Sequence, residues 1–323
     1  MRLGFIGTGT AAQEHAKVAL ALGHRIVAAS ARSESSPRWE RFHSLAPTAR
    51  FIADVDSLLK AQDVDAIVVS LNWNVTHEWL EALVTSPKPM LIEKPPALDQ
   101  ERLKSALHRH PATVANKRVA YNRRLYEPVQ ILRARVKEGG LKSVEVTLSD
   151  DIEHYRSRYG EEIIPHLTMF AGTHLLDLMI FLFSPLRLLK SYPYPEKGEA
   201  KPYVSFHALL ESGAGVPLWL SLNADDPSPV GIRCRFDDGT TWHLAPLERL
   251  KVYRGFQIEP PTKENNIRRY TPKLEKEVAV DNRFKPGFLA QMEAFLSGRM
   301  EEMATLDDSL ALFDLFDQIK GKN

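Results

Sequence analysis

Cysteine is nearly absent: the 323-residue chain has one, Cys234. A single thiol excludes an internal disulfide and a thiolate metal cluster, and it fits a reducing compartment. Cys234 sits in the strand-like run Gly231 to Phe236 and reads as a small core residue. An excess of either charge is missing too. With 42 Lys+Arg against 41 Asp+Glu there is no basic patch for nucleic acid and no polybasic stretch for a membrane surface. Long hydrophobic runs are also lacking. The greasiest stretch, Leu175 to Leu189, is broken by Asp177, Pro185 and Arg187, too short and too interrupted to span a bilayer. No charged segment followed by a free apolar one precedes the first strand, so no leader is expected. Repeats are absent. Together these point to a cytoplasmic protein with no nucleic-acid or membrane partner.

What is present is an ordinary apolar fraction, 44%, enough for a packed core. Over residues 1 to about 120, short apolar runs alternate with helical patterns. The runs are Leu3–Ile6, Arg25–Ala29, Arg50–Ile52, Ala66–Ser70, Met90–Ile92 and Val119–Tyr121. Helical patterns include Asp54–Ala61, Thr76–Thr85 and Asp99–His108. Continuous apolar strands separated by helices indicate a parallel sheet covered on both faces, the doubly wound Rossmann arrangement. From residue 121 the pattern changes. Helices over Tyr126–Lys137 and Leu167–Phe183 accompany closely spaced strand runs from Val144 to Tyr253, with turn signals such as Asp225-Asp226-Pro227 between them. The expectation is α/β overall: a nucleotide-binding domain over 1–120 and an α+β domain over 121–323 with a large, mostly antiparallel open sheet. Glu259 to Lys276, polar and charged with Pro260-Pro261, reads as a surface loop. Phe288–Ser297 and Asp307–Gln318 read as closing helices.

The first chemistry-bearing stretch is Gly7-Thr8-Gly9-Thr10-Ala11-Ala12, G-x-G-x-x-A between a strand and a helix. Gly7 permits the turn, Gly9 lets a pyrophosphate approach the backbone, and Ala12 lets the helix pack close on the strand. The helix N-terminus offers N–H groups and a positive dipole end to phosphate. The alternative is a Gly-rich turn that binds nothing. An acid at the end of the second strand would favour NAD. Here Ser30, Arg32 and Ser33 stand before Glu34. A guanidinium flanked by hydroxyls suits a 2′-phosphate, which favours NADP over NAD; a solvated Arg32 with Glu34 on the ribose is the other reading.

From Ile92-Glu93-Lys94-Pro95-Pro96 onward the chain resembles the glucose–fructose oxidoreductase/inositol dehydrogenase (Gfo/Idh/MocA) family. The likeness rests on G-x-G-x-x-A, on Glu-Lys-Pro after the fifth strand, on Tyr121-Asn122-Arg123-Arg124, and on a helix with His174 and Asp177, in that order. It implies a nicotinamide-dependent oxidoreductase acting on a sugar, cyclitol or related polyol. It also implies a homo-dimer or homo-tetramer formed through the second sheet. Lys94 matches the family's catalytic lysine and His174 its acid–base histidine, and the Lys-Pro bond is often cis in the family. The plainer readings are a lysine paired with Glu93 or a cofactor phosphate, and a core histidine. Glu93 reads as cofactor-side or structural. Asp177, at i+3 from His174, shares its helix face.

Three features depart from the family pattern. Phe170 stands where an aspartate is usual; it can stack on an apolar sugar face but cannot accept a proton. Ile164-Pro165-His166 replaces a glycine-rich lead, and His166 shares a face with Phe170 and His174. Eight helical residues span about 12 Å, too far for His166 and His174 to bind one metal, so no metal site is expected. In Leu71-Asn72-Trp73-Asn74-Val75-Thr76-His77, Trp73 replaces the usual proline. Asn72 and Trp73 read as cofactor contacts, and His77 as a cofactor contact or a structural residue at the helix start. Arg124 and Arg156 are candidate substrate contacts, with a solvated loop as the alternative for Arg156.

Overall fold

The computed structural model describes residues 1–195, 203–224 and 227–321. Contacts divide the chain into two units: Met1–Leu125 with Asp281–Asp314, and Tyr126–Val280 with the residues from Leu315 on. Among the described residues, no helix is long and apolar enough to cross a membrane.

The first unit alternates strands and helices: β1 Arg2–Ile6, α1 Thr10–Ala21, β2 Arg25–Ser30, α2 Pro37–Leu45, β3 Arg50–Ile52, α3 Val55–Lys60, β4 Ala66–Val69, α4 Trp73–Thr85, β5 Met90–Ile92, α5 Gln100–Arg109, α6 Pro111–Val114 and β6 Lys117–Val119. The six strands pair in parallel in the order β3-β2-β1-β4-β5-β6. The order reverses beside β1 and β4, where such a sheet opens its ligand crevice. The inner strands β1, β4 and β5 are buried on both faces, which is why they read as unbroken apolar runs. One core gathers around Phe5, Trp39 and Phe42, the other around Ile6, Ile67, Leu83 and Ile92. Helix starts follow their caps: Ser36, Asp54 and Asp99 accept from Trp39, Ser57 and Arg102 N–H groups.

The second unit holds α7 Glu127–Lys137, β7 Leu141–Asp150, α8 Ile152–Tyr159, α9 Thr173–Phe183, β8 Leu186–Pro195, β9 Tyr203–Ser212, β10 Pro217–Ala224, β11 Gly231–Phe236, β12 Thr240–Leu244, β13 Arg249–Glu259 and β14 Arg269–Ala279. Its eight-stranded sheet runs β14-β13-β12-β11-β7-β10-β9-β8. All its pairs are antiparallel except β7 with β10. Val144, Val146, Leu218, Leu220, Ile232 and Cys234 bury one face. Cys234 is a fully buried core thiol, and burial pushes its ionisation far above the ordinary range. After β14 come α10 Phe288–Ser297 and α11 Leu306–Lys320. α10 packs in the first unit against α1, through Phe288, Met292 and Phe295.

Three sequence readings change. The loop expected over 259–276 is in part β14, paired with β13 as a ribbon. Its residues are exposed on both faces, so no burial period marks it as a strand. The helix expected over 167–183 is two pieces: a π turn, Thr168–Gly172, precedes α9. The last parallel strand begins two residues early, at Lys117. The turn at Asp225 and Asp226 lies outside the described residues.

Lys117 hides β6 because a lysine there looks like solvent. It is fully buried, and its Nζ donates to Ser86 O, Lys88 O and Asn116 Oδ1 at 2.7, 2.7 and 2.6 Å. Burial lowers it from 10.5 to about 8. The unfolded chain therefore holds a proton that the folded chain gives up between those values, and stability rises with pH across that window. Lys117→Met removes this rise. Calorimetry at about pH 7.5 and about pH 9.5 should show the melting point of the unaltered protein gaining on that of the variant as pH increases.

Candidate functional site

In the first unit, the C-terminal ends of the central strands are laced together by backbone bonds. Gly7 N–H donates to Ser30 O at 2.9 Å, Ser70 N–H to Ile6 O at 2.7 Å, and Glu93 N–H to Val69 O at 2.8 Å. These bonds bring the glycine turn, Ser30 and Glu93 to one edge of the sheet. Gly7 has φ +91°, and a Cβ there would sit 2.2 Å from Ser70 O. Only glycine fits. Gly9 differs: a Cβ built on it meets nothing within 4 Å. It is the N-cap of the twelve-residue α1 and brings no side-chain cap. Ala12 is fully buried against the sheet, and Gln13 Nε2 donates to Thr8 O at 3.1 Å. Open space beside an uncapped helix N-terminus fits a dinucleotide pyrophosphate. Thr8 through Ala12 would hold it with backbone N–H groups.

Arg32 and Ser33 are exposed beyond β2, while Ser30 is buried. Asn72 is the exposed N-cap of α4, without a side-chain cap bond; Trp73 is buried. His77 is engaged otherwise: its Nδ1 accepts the Leu98 N–H at 3.1 Å, and its Nε2 lies 3.5 Å from Asp99. Burial and the Arg102 charge lower its pKa, against smaller pulls from Asp99 and Glu78. Arg124 is buried and pairs with Asp308 at 3.3 Å. Asn122 Nδ2 donates to Pro286 O.

Lys94 lies two residues past the end of β5, and its bond to Pro95 is cis. Its neighbour Glu93 is held by a residue that sequence reading missed. His15, fully buried on α1, brings Nε2 to 2.9 Å from Glu93 Oε1. Burial alone would raise the Glu93 carboxyl. The His15 hydrogen bond, with the Lys94 and Lys285 charges, outweighs it and holds the group below its ordinary value. The available signal was a histidine among alanines on the buried face of α1, at Ala12, Ala16 and Ala19.

In the second unit, α8 is capped by Asp151, which accepts from the His154 N–H at 2.8 Å. The π turn then carries Phe170. Its ring meets Tyr159 at 5.0 Å and Tyr155 at 5.9 Å, both edge-to-face. His166, Phe170 and His174 are half-buried along a helical stripe whose flanks are buried; Asp177, one turn on, is almost fully buried. Arg156 pairs with Glu153 and, through Nε at 2.7 Å, with Glu161. Turns of the π kind recur at functional sites because the extra residue re-aims side chains.

The glycines separate fold from binding. Gly7→Ala should destabilise the protein by about 1–3 kcal/mol, the strain of a left-handed alanine against a carbonyl. Gly9→Val should cost less than about 1 kcal/mol yet weaken NADPH and NADH binding at least about tenfold. Thermal melts and cofactor fluorescence titrations check both.

Comparison with known proteins supports the same scaffold. The model of the oxidoreductase family with an NAD-binding Rossmann fold, Gfo/Idh/MocA, matches residues 1–120. The inositol 2-dehydrogenase of Paracoccus denitrificans (strain Pd 1222) is 29% identical over 190 residues, 56% of this chain and 54% of the relative. The chain thus matches about half of that relative's length. An oxidoreductase from Agrobacterium radiobacter, solved with NAD+, L-tartaric acid and magnesium, superposes with a TM-score of 0.75 at 16% identity, over 100% of this chain and 96% of that one. A variant of a 3-ketoreductase from Actinomadura kijaniata, solved with TDP-benzene and NADP, gives 0.70 at 16% identity, over 100% and 97%. Residues 1–120 thus match the Gfo/Idh/MocA oxidoreductase family with its NAD-binding Rossmann fold, and the whole chain shares the fold of these solved oxidoreductases.

Proposed function

We propose that the chain is an NAD(P)-dependent oxidoreductase acting at a hydroxyl or keto carbon of a sugar, cyclitol or sugar derivative. The observation that carries this is the open, uncapped glycine turn at the sheet edge where Glu93 and Lys94 follow β5. A bound nicotinamide supplies the hydride donor or acceptor. The chain's own groups handle the proton. The Lys94 ammonium orients the reacting hydroxyl, steadies charge developing on its oxygen and relays its proton. His174 is the acid–base group that takes or returns that proton. Phe170 presents an apolar ring to the sugar, and His166 and Asp177 flank the same stripe. Arg124 and Arg156 already face carboxylates, so an anionic substrate would compete with Asp308, Glu153 and Glu161. Exposed Arg32 after buried Ser30 supports NADP over NAD, since a guanidinium matches a 2′-phosphate bidentately.

One observation favours a second reading, a cofactor-binding sensor without turnover. Phe170, whose ring cannot accept a proton, sits in an aromatic cluster with Tyr155 and Tyr159. We also propose assembly as a homo-dimer or homo-tetramer through the open face of the eight-stranded sheet. A row in register crosses that face, Lys251, His243, Arg233, Glu145, Trp219 and Leu209, with Trp219 47% exposed.

A turnover screen over hexoses, inositols, uronic acids and nucleotide-linked sugars separates the two readings. Lys94→Ala and His174→Ala should each lower a detected kcat by about 10²-fold or more; unchanged activity would remove them from the site. Arg32→Asp should move the NADPH:NADH preference toward NADH by about tenfold or more. Trp219→Arg should reduce the mass seen by light scattering to that of a monomer.

A further inference from the structure

The segment that carries Lys94 is pinned at both ends by histidines of the first unit. At its end, Leu98 N–H donates to His77 Nδ1. At its start, Glu93 Oε1 receives His15 Nε2. The two histidines differ in kind. His77 is half-buried on α4. His15 is fully buried, stacked on Phe288 with ring centroids 4.4 Å apart and planes 27° apart. Its Nδ1 is also buried and, among the described residues, has no hydrogen-bond partner. A buried, unsatisfied ring nitrogen is a desolvation cost that leucine at the same place would not carry. Packing of α1 on the sheet therefore does not account for histidine at position 15. The Glu93 bond does, and it fixes the imidazole with its proton on Nε2.

We propose that His15 is a positioning residue for Lys94: it holds Glu93 as a hydrogen-bonded anion between α1 and β5, and so ties the Lys94 segment to the helix whose N-terminus receives the dinucleotide phosphates. The proposal rests on the reading of Lys94 and the glycine turn given above. Three groups face the Glu93 carboxylate: His15 from α1, Lys94 from its own segment, and Lys285 from the residues before α10. Lys285 Nζ lies 4.7 Å over the Phe288 ring, the same ring that stacks on His15. His15 supplies the side-chain hydrogen bond that opposes burial. Without it that lowering contribution is lost, so the carboxyl takes up a proton at a higher pH than before. Lys94 then loses an adjacent fixed anion, and the chain entering it loses its anchor to α1.

The test compares the unaltered protein with His15→Leu, His15→Gln and the double variant His15→Leu/Glu93→Gln. NADPH fluorescence titrations between about pH 5 and about pH 8 give the readout, after melts confirm folding. The unaltered protein should bind with nearly constant affinity. His15→Leu should lose about tenfold in affinity toward the acid end, as Glu93 protonates. His15→Gln, whose amide N–H can donate to Glu93, should restore constancy. Adding Glu93→Gln to His15→Leu should abolish the new pH dependence. For any sugar or inositol found to turn over, His15→Leu should lower kcat far more than it raises KM.

A folded His15→Leu with the flat profile of the unaltered protein, or a His15→Gln as pH-sensitive as His15→Leu, overturns the proposal. If His15→Leu does not fold, His15→Gln and a histidine-selective ¹⁵N spectrum of the unaltered protein decide. A proton on Nδ1 of His15 rather than Nε2 overturns it. Failure of the unaltered protein to bind either cofactor overturns the underlying reading and this proposal with it. Normal binding with the wrong His15 pattern overturns this proposal alone.

Discussion

Everything in the first unit depends on one close approach. The chain leaving β1 at Gly7 passes so near the Ser70 carbonyl that no side chain fits. That passage lets β1 and β4 run side by side to their last residues while α1 turns back over the sheet. Had the turn needed a Cβ, β1 would stop short or α1 would lift away, and the burial of Ala12, Ala16 and Ala19 would be lost. The last carbonyls of β1, β4 and β5 then accept an N–H from the residue just past the neighbouring strand's end: Ile6 from Ser70, Val69 from Glu93 and Ile92 from Ala120. The residues that carry chemistry sit on the last rungs of this ladder. Their backbone groups are hydrogen-bonded through this ladder.

The sequence made this part legible because the sheet is buried on both sides. Runs such as Ala66–Val69 have no polar interruption, and the glycine spacing marks where the first run turns. Legibility fails where burial and chemistry disagree. Lys117 is a charge inside a strand, satisfied by oxygens scattered over residues 86 to 116. His15 and Glu93 are 78 positions apart, and no local period links them. The residues of α10 were readable as a helix, but nothing in their pattern names the surface of α1 as their partner. The π turn is silent as well, since one added residue leaves the apolar character of 167–183 unchanged. In β14 the failure has the opposite cause: both faces are wet, and a strand without a dry face resembles a loop.

The second unit balances differently. Its sheet buries one face with Val, Leu, Ile and Cys, and arranges charge on the other. Glu145 lies between Arg233 and Arg235, at 2.9 and 2.8 Å, on neighbouring strands. Burial would raise the Glu145 carboxyl, and the two guanidiniums more than offset this and lower it. Each such half-exposed pair contributes little by itself. Two arginines on one carboxylate nonetheless favour this alignment of β7 with β11, because a slip by one residue would turn either Glu145 or the two arginines toward the apolar face.

The edges of that sheet complete the picture. An open sheet ends in two strands with unpaired backbone groups, and these are templates for unwanted strand addition. Here the outer strands are β8 and β14. β8 carries Pro193, and β14 carries Pro272 followed by Lys273, Glu275, Lys276 and Glu277. Proline withholds a donor from any incoming strand, and alternating charge discourages a flat apolar neighbour. The sheet is thereby closed to growth sideways, against fibril-like stacking of one copy's edge on another's, while its broad face stays open.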